Sequence, residues 1–348
     1  MNKNILFFGE LAPNIIHGIS LANRLNIDLL RFFFEVDIVE EKNILKDHTK
    51  RSSSKLKKII SSVNEIFHLN KKNQYDYFYT VFSLSIFGSV KTLGSIFSFI
   101  LSGKGKVFLH IHRGDFEVFY KKSFINRFLT KLIFNFTDKL IVLSKNQKQE
   151  FSMHFDNNNI FVLENSLSHE YEFKEIKKTT KFIYISNYIQ EKGIFELLEV
   201  FSNNKDLYLE CFGGFVNNEK EIILYKTTNI NINGFIDGKD KYKKICEAEA
   251  LILPSWNEGQ PTIILEAMMM GTIVLTTKVG LIGELLGDDY PFYFKFQNIE
   301  SLEDCIKKFE TYKSKGELSK KMKIIYKNKF SKQIHKEKLL KIFKGNEE

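Results

Sequence analysis

Short apolar runs alternate with longer stretches of helical periodicity along the chain, a pattern typical of parallel β-sheets covered by helices. In the first half, the apolar runs predict six strands, at residues 5–9, 36–39, 77–82, 107–111, 139–143 and 160–163. In the second half, the same pattern predicts six more, at residues 182–185, 207–212, 230–233, 251–253, 273–275 and 292–294. The chain is therefore predicted to form two similar α/β domains in succession.

A polar segment at residues 164–168 separates the two series of strands and is suited to a linker. We therefore predict an N-terminal Rossmann-like domain over residues 1–165 and a C-terminal Rossmann-like domain over residues 166–320. Residues 318–343 show a lysine-rich helical pattern with apolar positions spaced for one buried face, and we assign residues 321–348 to a basic C-terminal helix. We predict that this basic helix packs back on the first domain. A basic amphipathic helix on a membrane surface is the alternative.

The second domain contains a strand, loop and helix pattern that carries two glutamates. An apolar run at residues 250–254 is followed by Glu258 in the loop and by Pro261, whose ring is preset for the first turn of a helix. A helix that begins at Pro261 has unpartnered amide groups and a partial positive charge, which together favour a phosphate group. Glu266 lies about one turn inside that helix, so both carboxylates are expected to face a ligand held at the helix start.

The run from Glu258 to Glu266, Glu-Gly-Gln-Pro-Thr-Ile-Ile-Leu-Glu, resembles the signature of the retaining glycosyltransferases of family 4. The similarity continues through a helix, a Gly turn, a strand and a Gly-rich loop at residues 266–284. Upstream, residues 182–194 resemble the strand that opens the donor-binding domain of that family. The match therefore spans most of residues 180–290. It implies the GT-B fold, an α/β architecture in which the parallel sheets of two Rossmann-like lobes face a central cleft that holds the active site.

The resemblance also assigns roles to residues of the second domain. Glu266 would hold the ribose hydroxyls of the nucleotide, and Glu258 the transferred sugar, since a carboxylate accepts two hydrogen bonds from a diol. Lys192 would stabilise the charge on the departing nucleoside diphosphate. Asn187 stands where the family usually has an arginine, so the diphosphate site is expected to have one cation fewer. The other donor-binding candidates in the loop and helix start are Gly259, Gln260, Pro261, Thr262 and Ile263.

Four further residues, in strands or in the loops that follow them, are candidates. Gly213 allows the backbone either to approach the nucleotide or only to turn, and Gly18 allows a close backbone approach in the first domain. His110 and His112 lie on one face of a strand because side chains alternate along it. We favour His112 as the histidine near the sugar hydroxyls, since it is nearer the carboxyl end. The predicted catalytic residues are His112, Lys192 and Glu258.

Composition narrows the classes of partner and cofactor. The formal net charge of +9 comes with lysines spread along the chain, which fits either a genome bias or attraction to an anionic inner membrane surface. No nucleic-acid-binding module accompanies these lysines, so we expect no nucleic acid partner. Three widely spaced cysteines predict a reducing, cytoplasmic location. His110 and His112 lack a third ligand at a suitable spacing, and no Asp-x-Asp pair occurs, so we expect neither a metal nor another cofactor.

Together, these features predict a metal-independent, retaining hexosyltransferase. It would move a sugar from a nucleoside-diphosphate-sugar to a hydroxyl of a saccharide or lipid-linked saccharide acceptor. The expected setting is the synthesis of a bacterial capsule, O-antigen or exopolysaccharide, in the cytoplasm or at the inner face of the cytoplasmic membrane. Two alternatives remain, a nucleotide-sugar epimerase on the same scaffold and a non-catalytic nucleotide-sugar-binding subunit.

Overall fold

All twelve predicted strands are present in a computed structural model, with ends shifted by a few residues at most. The structure describes residues 3–15, 17–41, 52–173, 176–216 and 219–345. Within these residues the chain divides into two compact units. Unit 1 contains residues 1–168 and 332–348, and unit 2 contains residues 169–331. The predicted fold class, an α/β chain with two Rossmann-like domains, is confirmed.

Unit 1 contains a parallel sheet of six strands in the order β2-β1-β3-β4-β5-β6. The strands are β1 (Asn4–Gly9), β2 (Glu35–Glu40), β3 (Tyr77–Val81), β4 (Lys106–His110), β5 (Lys139–Val142) and β6 (Ile160–Val162). The helices that precede unit 2 are α1 (Gly18–Leu30), α2 (Ser52–Asn73), α3 (Ile86–Ser102), α4 (Phe116–Lys122), α5 (Phe124–Asn135) and α6 (Lys145–Phe151). Alternation along β1 places Leu6 and Phe8 in one core, and Ile5 and Phe7 in a second core across the sheet.

Unit 2 contains a second parallel sheet of six strands, in the order β12-β11-β10-β7-β8-β9. The strands are β7 (Thr180–Ile185), β8 (Leu209–Phe212), β9 (Ile230–Asn233), β10 (Ala248–Leu253), β11 (Ile273–Thr277) and β12 (Tyr293–Phe294). The helices are α7 (Ile194–Asn203), α8 (Glu219–Ile223), α9 (Gly238–Glu247), α10 (Thr262–Met270), α11 (Ile282–Leu286), α12 (Ile299–Thr311) and α13 (Lys315–Ile325). Read from β9, this is the strand order of the dinucleotide-binding Rossmann fold.

The C-terminal segment divides differently from the prediction. Helix α14 (Lys332–Lys344) lies in unit 1, where Leu339, Ile342 and Phe343 complete the second core. Residues 321–331, which were predicted to belong to the same basic helix, lie in unit 2 instead. The physical reason is burial, because Met322 and Tyr326 are enclosed there and the Tyr326 hydroxyl donates to Glu170 Oε1 at 2.9 Å. Among the described residues, no helix combines the length and apolar composition that a membrane span requires.

Candidate functional site

The strand order of unit 2 defines where a ligand is expected. The connections from β7 run toward β8, whereas its other neighbour in the sheet is β10. Strands β7 and β10 therefore form the switch point of the sheet, and open α/β sheets bind ligands beyond the carboxyl ends of such strands. The loops that follow these two strands carry Lys192 and Glu258.

Lys192 and Glu258 form an ion pair that joins the two loops. The Lys192 Nζ lies 2.7 Å from Glu258 Oε1, and the Glu258 side chain is only 10% exposed. Trp256 N donates to Glu191 O at 2.9 Å and ties the loops together at the backbone. Gly193 has φ +67, and a Cβ there would lie 2.1 Å from Pro254 O. Only glycine therefore fits the turn that follows Lys192.

A third loop, after β11, supports the segment that contains Glu258. Gly280 has φ +56, and a Cβ at this position would lie 1.8 Å from Glu258 O. Leu281 N donates to Gly259 O at 3.1 Å. The backbone of Glu258 is therefore fixed by direct contact with a glycine that has no room for a side chain.

Helix α10 begins one residue later than predicted, at Thr262, and Pro261 is its N-cap residue. Its N-cap residue makes no side-chain hydrogen bond to the helix, which leaves amide groups of the first turn to other partners. Ile263 is half-buried on the first turn, whereas Gln260 is buried just before it. Five of the predicted donor-binding residues, Gly259 to Ile263, thus lie in one continuous segment between Glu258 and Glu266.

Glu266 is buried inside α10 and forms an ion pair that the sequence did not predict. Lys241 Nζ, from α9, lies 2.8 Å from Glu266 Oε1. Burial raises the pKa of Glu266, and the Lys241 ammonium opposes that shift. The second oxygen, Oε2, is buried and has no hydrogen bond of good geometry among the residues that the structure describes, although the nearby Tyr242 hydroxyl also lowers the pKa of this carboxyl. This oxygen can accept a hydrogen bond from a ligand hydroxyl, which would remove the cost of leaving it unpaired.

Asn187 and Gly213 lie in the loops after β7 and β8. The Asn187 side chain is exposed, and its carbonyl accepts a hydrogen bond from the Tyr184 hydroxyl at 2.9 Å. A Cβ on Gly213 would lie 2.0 Å from Ser186 O. Gly213 therefore lets the loop after β8 approach the loop after β7, and this packing accounts for the glycine without a nucleotide.

Unit 1 has a cavity at its own switch point, between β1 and β3. The cavity has a volume of about 200 Å³. Its polar lining includes Glu10, Asn23 and His112, and an ion pair in which Lys91 Nζ lies 2.5 Å from Glu41 Oε2. Apolar contacts come from Phe8 and Ile19, among others. This mixed lining offers a small ligand both hydrogen-bonding groups and apolar contacts.

His112 and His110 differ in what they can offer a ligand. His112 lines the cavity, and both of its ring nitrogens are buried without a hydrogen-bond partner among the described residues. His110 Nδ1 lies 2.7 Å from the Tyr79 hydroxyl. The two imidazole rings lie 3.9 Å apart. Burial lowers the pKa of His112 to about 3, with His17 and His335 adding to the shift, so its ring is neutral and has one donor and one acceptor.

A chain of buried polar groups extends from His110 to the C-terminal helix. The Tyr79 hydroxyl contacts Asn26 at 2.9 Å, and Asn26 contacts His335 Nε2 at 2.6 Å. His335 Nδ1 lies 2.7 Å from Glu164 O and donates to it. Helix α14 therefore supplies the last member of a network that holds His110 against His112.

Gly18 is the first residue of α1, and no atom lies within 4 Å of a Cβ placed on it. The fold of unit 1 therefore does not require a glycine there. His17 caps this helix instead, since its Nδ1 accepts from Ser20 N at 3.3 Å and its Nε2 donates to Glu10 Oε2 at 2.7 Å. That hydrogen bond lowers the pKa of Glu10, which lines the cavity as a carboxylate.

Sequence reasoning missed Lys241, Gly280 and Lys91 as parts of these sites. Lys241 and Lys91 are lysines among many in the sequence, and only the fold places Lys241 beside the buried Glu266 and Lys91 beside the half-buried Glu41. Gly280 had a signal, because it lies in the Gly-rich loop after β11 that resembles the family pattern. Its role in fixing Glu258 depends on a contact between distant loops. Among the described residues, no group of three or more acidic, His or Cys side chains could hold a metal ion.

Comparison with known proteins supports the assignment of unit 2. Residues 168–336 match the family described as Glycosyl transferases group 1. TuaC of Bacillus subtilis (strain 168), named "Putative teichuronic acid biosynthesis glycosyltransferase", is 27% identical over 128 residues, which are 37% of this chain and 32% of TuaC. The O-antigen biosynthesis glycosyltransferase WclY of Escherichia coli is 25% identical over 247 residues, which are 66% of this chain and 69% of WclY.

Solved structures show the same fold. HepE of Anabaena, in complex with UDP-glucose, superposes with a TM-score of 0.72 over 98% of this chain and 99% of its own, at 13% identity. The chain spans about a third of TuaC, which is the more identical of these two relatives. The similarity to TuaC therefore concerns a domain. Residues 168–336, the segment that matches the glycosyl transferases group 1 model, include all of unit 2.

Proposed function

We propose that the chain is a retaining, metal-independent hexosyltransferase. It transfers a sugar from a nucleoside-diphosphate-sugar to a hydroxyl of a saccharide or lipid-linked saccharide during the synthesis of a bacterial surface polysaccharide. The observation that carries this proposal is the ion pair of Lys192 and Glu258 at the switch point of a glycosyl transferases group 1 domain. The names of TuaC and WclY, both assigned to the synthesis of surface polymers, support the setting.

In the proposed donor complex, the diphosphate binds between Lys192 and the uncapped start of α10. The amide groups of Thr262 and Ile263 and the helix dipole favour a phosphate there. Lys192 Nζ exchanges its bond to Glu258 for one to a phosphate oxygen. Negative charge accumulates on that oxygen as the bond to the sugar breaks, and a cation held in place stabilises it.

The two carboxylates then have separate roles. Glu258, released from Lys192, accepts hydrogen bonds from hydroxyls of the transferred sugar. Glu266 accepts hydrogen bonds from the ribose through Oε2, while Lys241 keeps Oε1 occupied and the group ionised. The burial that raises the pKa of Glu266 also strengthens its hydrogen bonds to a ligand. UDP-glucose is the first donor to test, because the HepE structure contains it.

Retention follows from attack on the same face of the sugar that the leaving group departs from. In this scheme a phosphate oxygen of the leaving group takes the proton of the acceptor hydroxyl, and the protein supplies position and positive charge. Within unit 1, the neutral His112 ring offers one donor and one acceptor to hydroxyls of a saccharide held in the cavity. The donor would be used in the cytoplasm, in keeping with three free cysteines.

Two variants test the roles of the charged residues. Lys192→Ala should lower kcat for donor hydrolysis about 100-fold to 1000-fold, the effect of removing one group that stabilises transition-state charge. Glu266→Ala should weaken nucleotide binding about tenfold to 100-fold, since a charge-assisted hydrogen bond is lost. Titration calorimetry with UDP and GDP, and hydrolysis of a panel of nucleotide sugars with and without a chelator, provide the measurements.

Lys181→Ala is the matched control, because Lys181 pairs with Glu310 at the amino end of β7, away from the switch point. It should leave both quantities unchanged. Wild-type kinetics in both test variants would overturn the proposal. Turnover of the donor to its epimer without an acceptor would indicate an epimerase instead, and nucleotide binding without any hydrolysis would indicate a binding subunit.

A further inference from the structure

Helices α4 and α5 of unit 1 expose a set of large apolar side chains. Phe124 is 72% exposed, Phe128 is 55% exposed, and Val118 and Ile125 are also exposed. The rings of Phe124 and Phe128 stack with their centroids 6.4 Å apart. Exposed apolar groups that are contiguous, rather than scattered singly, mark a surface that binds something.

The two helices that carry this surface are firmly packed in unit 1. The opposite face of α5 is buried through Leu129, Ile133 and Phe134. Ser123 caps α5 by accepting from Asn126 N at 3.1 Å, and Asn126 Nδ2 donates to Phe119 O of α4 at 2.7 Å. The two helices are therefore held together, and their exposed side chains keep fixed positions.

Basic residues predominate on α4 and α5, and Glu117 at the start of α4 is the one acidic residue of the two helices. Residues 118–135 contain four basic residues and neither aspartate nor glutamate. The basic residues are Lys121, Lys122, Arg127 and Lys131. Lys121 pairs with Glu117 at 2.6 Å, whereas Lys122 and Lys131 are exposed and have no carboxylate partner within the described ranges. The docking surface is defined here as residues 118–131.

We propose that the docking surface binds unit 1 to an anionic lipid bilayer. Apolar side chains that enter the interface, combined with lysines that attract anionic headgroups, are the features of a helix that lies in the membrane plane. A second copy of the chain fits less well, because a two-fold contact would bring the same positive charges together. Helix α14 is a poorer candidate, since its apolar face is buried in unit 1 and Lys338 pairs with Glu164 at 2.6 Å.

The proposal rests on the proposed function and deepens it by naming where a lipid-linked acceptor would be met. The docking surface follows closely after His112, because α4 begins at Phe116. Binding of this face to a bilayer would keep the histidine cavity near headgroups that carry the acceptor. The surface thus specifies a membrane-bound acceptor rather than a free saccharide.

Sedimentation of the full chain with lipid vesicles tests the proposal. The chain should sediment with phosphatidylglycerol vesicles and remain in the supernatant with phosphatidylcholine vesicles. The triple variant Phe124→Ser, Ile125→Ser and Phe128→Ser should lower the partition coefficient at least tenfold. The triple variant Lys121→Gln, Lys122→Gln and Lys131→Gln should lower it about 100-fold, since each positive charge near an anionic surface contributes about fivefold.

Matched variants in unit 2 distinguish this surface from general basicity. Lys313→Gln, Lys320→Gln and Lys321→Gln remove the same charge, and Ile223→Ser, Leu224→Ser and Phe235→Ser remove exposed apolar groups. The proposal is overturned if these controls reduce vesicle binding as much as the test variants. It is also overturned if wild-type protein stays in the supernatant, or if the apolar variant only changes the oligomeric state.

Far-ultraviolet circular dichroism and thermal midpoints of all four variants establish that loss of binding is not loss of fold. Vesicle binding requires no donor, and donor hydrolysis requires no vesicle, so the two proposals fail separately. Variants of the docking surface should hydrolyse a nucleotide sugar at the wild-type rate. Loss of hydrolysis in the charge variant, with vesicle binding retained, would also contradict the proposal.

Discussion

Three buried histidines in unit 1 are neutral because burial disfavours their charged forms. Burial lowers the pKa of His110 well below its ordinary value, that of His112 to about 3 and that of His335 to about 4. In the structure Asn26 Oδ1 faces His335 Nε2 and Asn26 Nδ2 donates to the Tyr79 hydroxyl. A neutral His335 that donates to Glu164 O can accept at Nε2 only if the oxygen and nitrogen of this amide are exchanged. The network then supports an uncharged His112 beside the cavity.

This neutrality makes unit 1 sensitive to acid. In the unfolded chain each histidine takes up a proton near pH 6.5, whereas in the folded chain it does so only near its lowered pKa. The contribution of the neutral histidines to the free energy of unfolding is therefore complete above about pH 6.5. It is lost as the pH falls toward the pKa values of the folded chain. The free energy of unfolding of unit 1 should fall by up to about 1.4 kcal/mol per pH unit for each of the three histidines.

Guanidinium titrations at pH 7, 6 and 5, followed by circular dichroism, measure this slope. His335→Gln should reduce it by about one third, whatever its effect on stability at pH 7. Trp256 fluorescence follows unit 2 in the same samples. An unchanged slope in His335→Gln would mean that His335 is not held neutral by the fold.

At the scale of elements, the sequence predicts the strands well because their signal is local. Each strand is a short apolar run between polar loops, as at residues 230–233, where the predicted and observed ends agree. Contacts between loops leave no such signal. The alternation of side chains along the strand placed His110 and His112 on one face. It could not show that the Tyr79 hydroxyl forms a hydrogen bond with His110. The Lys241 pair with Glu266 depends in the same way on how α9 packs against α10.

Substitution of Gly280 tests whether the loop after β11 fixes the position of the Glu258 loop. A Cβ at this position would lie 1.8 Å from Glu258 O, so Gly280→Ala must displace the Glu258 loop. We expect a loss of at least 30-fold in kcat/KM for donor hydrolysis and a loss of about 1–3 kcal/mol in the free energy of unfolding. Steady-state kinetics and guanidinium titration measure the two effects.

Gly287→Ala separates displacement of the loop from backbone strain alone. Gly287 also has a positive φ, of +93, but no atom lies within 4 Å of a Cβ placed on it. This control should lose stability and keep its turnover. Equal turnover in the two variants would show that the position of the Glu258 loop does not limit the reaction.

At the scale of the whole molecule, unit 1 is closed by a segment distant in sequence. Helix α14 returns to unit 1 after the whole of unit 2, and Phe343 is inserted among aromatic rings of the second core. Its ring centroid lies 4.8 Å from that of Phe108 and 5.5 Å from that of Tyr79, the residue that contacts His110. The C-terminal helix thus stabilises the core beneath the histidine network.

Phe343→Ala should destabilise unit 1 by about 3–5 kcal/mol, because a fully buried aromatic side chain is removed and a cavity remains. Binding of UDP to unit 2, measured by titration calorimetry, should be unchanged, since the proposed donor-binding residues lie in that unit. Guanidinium titration should therefore show an earlier transition in circular dichroism, while the Trp256 transition stays in place. Phe32→Ala is the matched control, because Phe32 belongs to the same unit but is 76% exposed, and its removal should cost less than about 0.5 kcal/mol. Equal losses in both variants would show that α14 does not hold the core of unit 1 together.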